Sequence, residues 1–205
     1  MTHLTTTPMT HPAFAQARWH DARWTHKAVM GLFPTPLPDN GTGPRATSRI
    51  LYRTEPDVAG GRILIQSDIP PVVDGVRTRP MDDVFVRYRP GGTVALLLHA
   101  NTVRTINRTR DDGNVRTHRA RVPDTLLNGW LKDRLEGAAT LHGHIDTSPL
   151  ERALGPRRRG RQQIITIYRA TATITNPTRL IDLCTAGIGR NKAYGCGLLT
   201  ALPTN

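Results

Sequence analysis

Apolar and polar positions change rhythm several times along this chain, and each rhythm predicts an element. In "DARWTHKAVMGLF" (21–33), Thr25, Ala28, Val29, Leu32 and Phe33 fall on one stripe at helical spacing. Asp21 can cap that helix and Pro34 stops it. Before it, residues 1–19 are polar and Thr/Pro-rich, with one short strand. After it, "TPLPDNGTGPRATS" (35–48) is a loop by composition. "RILYRT" and "RILIQSDI" read as short strands on either side of the turn-rich "EPDVAGG". Residues 70–92 are irregular, with one strand candidate at "DVFVRY" before "RPGG".

The second half is patterned more strongly. "TVALLLHANTV" (93–103) is a strand, and "RTINRTRDDGNVRTHRAR" a basic loop or hairpin turning at Asp112-Gly113. "PDTLLNGWLKDRLEG" is a helix: Pro123 suits its first turn, Leu127, Trp130, Leu131 and Leu135 share a face, and Gly137 ends it. "TLHGHID" is a strand candidate, and "RRRGR" (157–161) a basic hairpin tip. In "QQIITIYRATATIT", Tyr168, Ala170, Ala172 and Ile174 alternate with Arg169, Thr171, Thr173 and Thr175, the period of a strand. Asn176-Pro177 then caps the helix "TRLIDLCTA", which stops at Gly187, and "GLLTALP" is a last strand. From about residue 93 the order is β-α-β-β-α-β, the ferredoxin-like pattern, and a looser copy precedes it. The expected architecture is α+β: two tandem ferredoxin-like domains, 1–90 and 91–205, although no sequence repeat marks the duplication.

Composition narrows the function. No apolar run approaches the ~18–20 residues of a membrane span, and the N-terminus has no apolar signal region. Two cysteines, Cys184 and Cys196, make no disulfide framework and fit a reducing cytoplasm; they read as small apolar fillers. The scattered histidines show no zinc spacing, so neither a metal nor another cofactor is expected. The net charge of +12 points to a polyanion. All but three of the cations are arginine, whose fork bonds phosphate in pairs; only Lys27, Lys132 and Lys192 are lysine. With no basic amphipathic anchor helix, nucleic acid is favoured over a membrane. Aromatic residues are only 5 % of the chain, which favours a duplex over stacked single-stranded bases.

"GIGRNKAYGCGLL" (187–199) gathers Gly187, Gly189, Gly195 and Gly197 around Arg190 and Lys192. A phosphate-cradling Walker loop is excluded, because the spacing is wrong and the segment follows a helix instead of opening one. A helix end at Gly187 and a tight turn account for part of it. The other glycines would let backbone N–H groups converge on an anion or let another backbone come close.

At these residues the chain resembles the CasE family, the CRISPR repeat-cleaving endoribonucleases of type I-E Cascade. "GIGRNKAYGCGLLTALP" resembles its glycine-rich C-terminal motif, and "RPGGTVALLLHANTVRT" the stretch opening its second domain. "RVPDTLLNGWLKDRLEGAA" resembles its central helix, and "DARWTHKAVMGLFP" its N-terminal catalytic helix; the four blocks run in family order. The resemblance implies two ferredoxin-like domains. It also implies metal-independent cleavage of pre-crRNA at the repeat stem-loop, leaving a 2′,3′-cyclic phosphate and a 5′-OH. The crRNA would then be retained for assembly with the other Cascade subunits.

By the same resemblance His26 is the catalytic histidine; the residue pattern alone places it at the edge of an apolar stripe, as a half-buried structural histidine. Many members carry Tyr where Arg23 stands. Arg23 shares a face with His26 and could stabilise charge, but cannot exchange a proton. The implied RNA-binding residues are Arg157, Arg158, Arg159 and Arg161 of the basic hairpin, Gly187, Gly189, Arg190 and Lys192 of the glycine segment, and Lys27. Arg104, Arg108 and Arg110 read equally well as a charged surface hairpin, Trp19 and Trp24 as packing residues, and Trp130 as core. The alternative is a catalytically inactive RNA-binding scaffold of a CRISPR ribonucleoprotein.

Overall fold

The computed structural model describes residues 1–15, 17–109, 115–154 and 161–204. The first half builds β1 (His3–Pro8), α1 (Ala22–Met30), a one-turn α2 (Pro44–Thr47), β2 (Leu51–Glu55), β3 (Arg62–Ser67), β4 (Arg77–Pro80) and a one-turn α3 (Asp82–Phe85). The second builds β5 (Thr93–Ala100), β6 (Val103–Thr109), β7 (Val115–Arg121), α4 (Leu127–Leu135), β8 (Ala139–Leu154), β9 (Arg161–Ile174), α5 (Pro177–Ala186) and β10 (Leu199–Pro203).

Each half forms a four-stranded antiparallel sheet, ordered β2-β3-β1-β4 and β10-β5-β9-β8. Numbered within its own half, each sheet has the same order, and the fold is two ferredoxin-like units in tandem. The duplication invisible in sequence is therefore plain in topology. The first unit carries only one of the two crossover helices, because residues 68–76 join β3 to β4 without one. The ribbon β6–β7 is an insertion in the second unit; its Arg104, Arg116, Arg119 and Arg121 are exposed.

Local chemistry explains most elements. Asp21 caps α1, its Oδ1 accepting from the Arg23 N–H at 2.9 Å. Asn176 caps α5 in the same way, accepting from the Arg179 N–H at 3.0 Å, with Pro177 at the first helical position. Val29, Leu32 and Phe33 pack with Phe14, Ile50, Tyr52, Ile63 and Ile65 into the first core; burying each such side chain stabilises by about 1.5–3 kcal/mol. The second core lies between its sheet and helices α4 and α5, where Trp130 stacks on Tyr168 at 5.9 Å. Cys184 and Cys196 are unpaired and buried.

One expectation needs correction. "DVFVRY" is not a strand: the Val84 and Phe85 N–H groups both bond the Met81 carbonyl, forming α3. That turn sets Val84 and Phe85 on a cluster of Leu4, Leu51, Leu64, Met81 and Leu198, where the two halves meet. The short strand expected in the polar N-terminus is β1, and it lies inside its sheet, with Thr5 and Thr7 fully buried.

The halves are also tied by polar contacts. The Arg53 side chain, 2 % exposed, donates to Glu55 within its strand. It donates across to the Leu97 and Leu198 carbonyls and to Thr200 Oγ1, all in the second half. Arg62 holds the second oxygen of Glu55 at 2.7 Å. Among the described residues, no helix is long and apolar enough to cross a membrane.

Candidate active site

The segment 187–197 is clasped between the two sheets. The Ile188 N–H bonds the Gly197 carbonyl, and the Gly197 N–H bonds the His99 carbonyl at the end of β5. On the other side, the Tyr52 hydroxyl of β2 donates to the Ala193 carbonyl at 3.0 Å. Asn191 and Gly195, both left-handed, bracket a single 3-10 turn, Lys192–Tyr194.

The glycines are required by contact as well as by conformation. A Cβ on Gly195 would lie 2.7 Å from Arg152 Nη1 and 3.1 Å from the Tyr52 ring; one on Gly197 would lie 2.8 Å from the Ile188 carbonyl. Both residues have positive φ. The N–H groups of Gly187, Ile188, Tyr194 and Gly197 all bond carbonyls of the chain itself. The glycines of this segment thus serve close approach, and these four amides do not converge on an anion.

The turn delivers Tyr194 to α1. The Tyr194 and His26 rings meet edge to face, with centroids 6.2 Å apart and planes at 80°. The start of α1 is fixed against β8, where the Ala153 N–H bonds the His20 carbonyl and Asp21 bridges to Ala153. His26 is half-buried, and its Nδ1 is buried with no partner among the described residues. Burial first, and the Arg45 charge second, hold its pKa below the usual imidazole range. Both effects favour the neutral imidazole over the imidazolium.

Two cations complete the surroundings. Arg45 sits at the end of the 35–48 loop, in α2, where its Nη1 donates to the Ile50 carbonyl at 2.7 Å. Lys192 Nζ donates to the Ala186 carbonyl at 2.7 Å; burial, and then the Arg45 charge, lower its pKa. An imidazole, a phenol, a guanidinium and an ammonium thus come from three separated stretches of chain: α1, α2 and the 192–194 turn. Beneath them Arg152, buried, donates to Thr54 Oγ1.

The residues picked out in sequence are dispersed more widely. His26 and Lys192 share Arg45 as a charged neighbour. Arg23 is exposed on α1, and its side chain makes no hydrogen bond or ion pair among the described residues. Lys27 lies on another flank, its Nζ 5.4 Å from the Trp24 ring, which Arg18 also covers at 4.9 Å. Gly187 ends α5, and Gly189 packs against Trp130. Arg190 is exposed and bridges through its backbone to Asn101. Arg157, Arg158 and Arg159 lie outside the described residues, as does Arg110; Arg161 is described only as the first residue of β9, opposite Leu154.

Sequence reasoning missed Arg45 and Tyr194. Arg45 stands in a stretch that composition marks only as loop. Tyr194 stands inside the glycine motif, where it looks like one more spacer.

A protein-family model described as "CRISPR associated protein" matches residues 2–203. The CRISPR system Cascade subunit CasE of Escherichia coli K12 is 29 % identical over 201 residues, covering 92 % of this chain and 96 % of that protein. Among solved structures, Cas6e from E. coli K-12 superimposes with a TM-score of 0.71 at 24 % identity, over 99 % of this chain and 100 % of that one. Thermus thermophilus Cse3, bound to an RNA representing a pre-cleavage complex, gives a TM-score of 0.73 at 22 % identity, over 98 % and 99 % of the two chains.

Proposed function

Because the chain belongs to the CRISPR-associated protein family, we propose that it is an endoribonuclease that cuts CRISPR repeat RNA at the stem-loop and passes the crRNA to Cascade. A third similar solved structure is a CRISPR endoribonuclease, Cse3, bound to 19 nt of RNA, and the E. coli relative is a Cascade subunit. The chain divides at about residue 90. The first sheet uses strands up to Pro80 and the second begins at Thr93. The protein works in the cytoplasm, a reading supported by its two unpaired cysteines.

One observation carries the chemistry: a half-buried imidazole in contact with the Tyr194 ring and within reach of the Arg45 charge. RNA needs no metal for self-cleavage. Its 2′-OH attacks the adjacent phosphorus and the 5′ oxygen leaves, giving a 2′,3′-cyclic phosphate and a 5′-OH. The protein must align the attack, move protons and balance the added negative charge. His26 takes the 2′-OH proton. Lys192 and Arg45 stabilise the charge on the phosphate, and Arg23, exposed one turn before His26, adds a further cation. Arg190, Lys27 and the 157–161 arginines grip the stem. Contacts that do not change on cleavage hold product as tightly as substrate, which suits delivery of the crRNA over repeated turnover.

The test is cleavage of a repeat transcript in EDTA. Wild-type protein cuts; His26→Ala is slower by about 10²–10⁴-fold; a 2′-deoxy nucleotide at the cut site blocks the reaction. A His26→Ala protein with full activity removes His26 from the mechanism. Tight binding with no cutting by the wild type makes the protein a scaffold.

A further inference from the structure

Cleavage at one phosphate needs two proton transfers, and α1 supplies a single imidazole. Arg23, on the same face of that helix, carries a guanidinium, which offers donors and no acceptor and does not serve as a proton-transfer group, so it is not the second one. We propose that Tyr194 is a second catalytic residue, its phenol giving a proton to the departing 5′ oxygen while His26 takes the proton of the 2′-OH. The inference rests on the nuclease reading above.

The four tyrosines of the chain separate cleanly. The Tyr52, Tyr88 and Tyr168 rings are all buried, and their hydroxyls donate to the backbone carbonyls of Ala193, Ala201 and Leu127. Those three are structural. Tyr194 is half-buried, and its hydroxyl has no hydrogen-bond partner among the described residues. It is also the tyrosine whose ring touches His26, at 6.2 Å between centroids. That separation lets one phosphodiester reach both rings.

The seat of Tyr194 is rigid. The preceding carbonyl is held by Tyr52, the following Gly195 is packed on Arg152 and Tyr52, and the Tyr194 N–H closes the turn on the Asn191 carbonyl at 2.8 Å. A side chain pre-positioned in this way loses little freedom when substrate arrives.

The step balances without a further reactant. Neutral His26 accepts the 2′-OH proton as the 2′ oxygen bonds to phosphorus. The phosphorus–5′-oxygen bond breaks, its electron pair stays on that oxygen, and the oxygen takes the Tyr194 proton. Solvent then carries a proton from the imidazolium to the phenolate, restoring both groups.

Tyr194→Phe keeps the ring against His26 and removes only the hydroxyl. It is assayed on ordinary repeat RNA and on the same RNA with sulfur replacing the bridging 5′ oxygen at the cut site. A thiolate, with a pKa of about 8.5 for its thiol, leaves without a proton donor. The expected result is cleavage of ordinary RNA slowed about 100-fold or more, with unchanged RNA affinity, and cleavage of the sulfur-linked RNA at the wild-type rate. A variant as fast as wild type on ordinary RNA overturns the inference and leaves His26 in place. Equal losses on both substrates also overturn it, because they show a role in positioning alone. Wild-type protein that cuts neither RNA defeats the nuclease reading, and this inference with it.

Discussion

Replacing Gly187 with alanine isolates what close packing at the junction contributes, because the chain contains its own control. Gly187 has φ 73° and ψ 158°, and Gly43, in the loop before α2, has φ 94° and ψ 144°. Both lie in backbone space that is nearly reserved for glycine, at about 1–3 kcal/mol for another residue. Their surroundings differ. A Cβ on Gly43 meets nothing within 4 Å, whereas one on Gly187 comes 2.8 Å from Leu51 Cδ1 and 2.9 Å from the Gly197 carbonyl oxygen. That oxygen already accepts from Ile188, and Leu51 is 1 % exposed, so neither neighbour can yield cheaply. Overpacking of this kind adds about 1–3 kcal/mol. Gly187→Ala is therefore less stable than Gly43→Ala by roughly 2 kcal/mol, or about 4–8 °C in Tm for a chain of this size. Urea unfolding followed by circular dichroism measures the difference. The same change moves the loop that carries Tyr194, so Gly187→Ala also cleaves more slowly at temperatures where it is folded. Equal destabilisation by the two substitutions refutes the packing argument.

Glu55→Gln strips a buried guanidinium of its counter-charge, a loss of ~3–5 kcal/mol for a fully buried pair. Glu55 keeps 20 % of its side chain in water, which screens the loss to about 2 kcal/mol. Burial raises the Glu55 pKa, but the hydrogen bonds and charges of Arg53 and Arg62 outweigh that and hold it below the usual range. The pair's stabilisation is thus present above the unfolded value near pH ~4.3 and fades as pH falls through the lower folded value. Melts of wild type and variant converge in acid; equal melts at pH 7 contradict the role given to Glu55. Arg45→Gln removes the second cause of the depressed His26 pKa. The acid limb of the cleavage profile, where the imidazole gains its proton, then moves to higher pH; an unmoved limb shows that the Arg45 charge does not act on His26.

The second unit was readable because its signals are local: the alternation from Tyr168 to Ile174, the Asn176-Pro177 cap, and the leucine face of α4. β1 was harder, because it buries threonines, which hydropathy counts as polar; the Thr5 and Thr78 hydroxyls bond each other at 2.8 Å across the β1–β4 pair. "DVFVRY" misled because a short apolar run suits a strand and a docked turn alike. The half-buried position of His26 was legible from its place at the edge of the α1 stripe, and its proposed role came only from the family resemblance. Tyr194 and Arg45 could not be found, because their relation to His26 exists only after distant stretches fold together, and no local pattern encodes it.

The ring contact between α1 and the glycine segment sets an order in time. The imidazole is translated early, and the phenol and ammonium that face it are translated near the end. A ribosome partway along this message holds a chain with a finished first helix and no reaction centre. On the proposed assignment, cutting waits until the tail has emerged and folded back onto Tyr52. On the same assignment, a chain that terminates before residue 194 lacks the phenol that faces His26 and cuts RNA poorly.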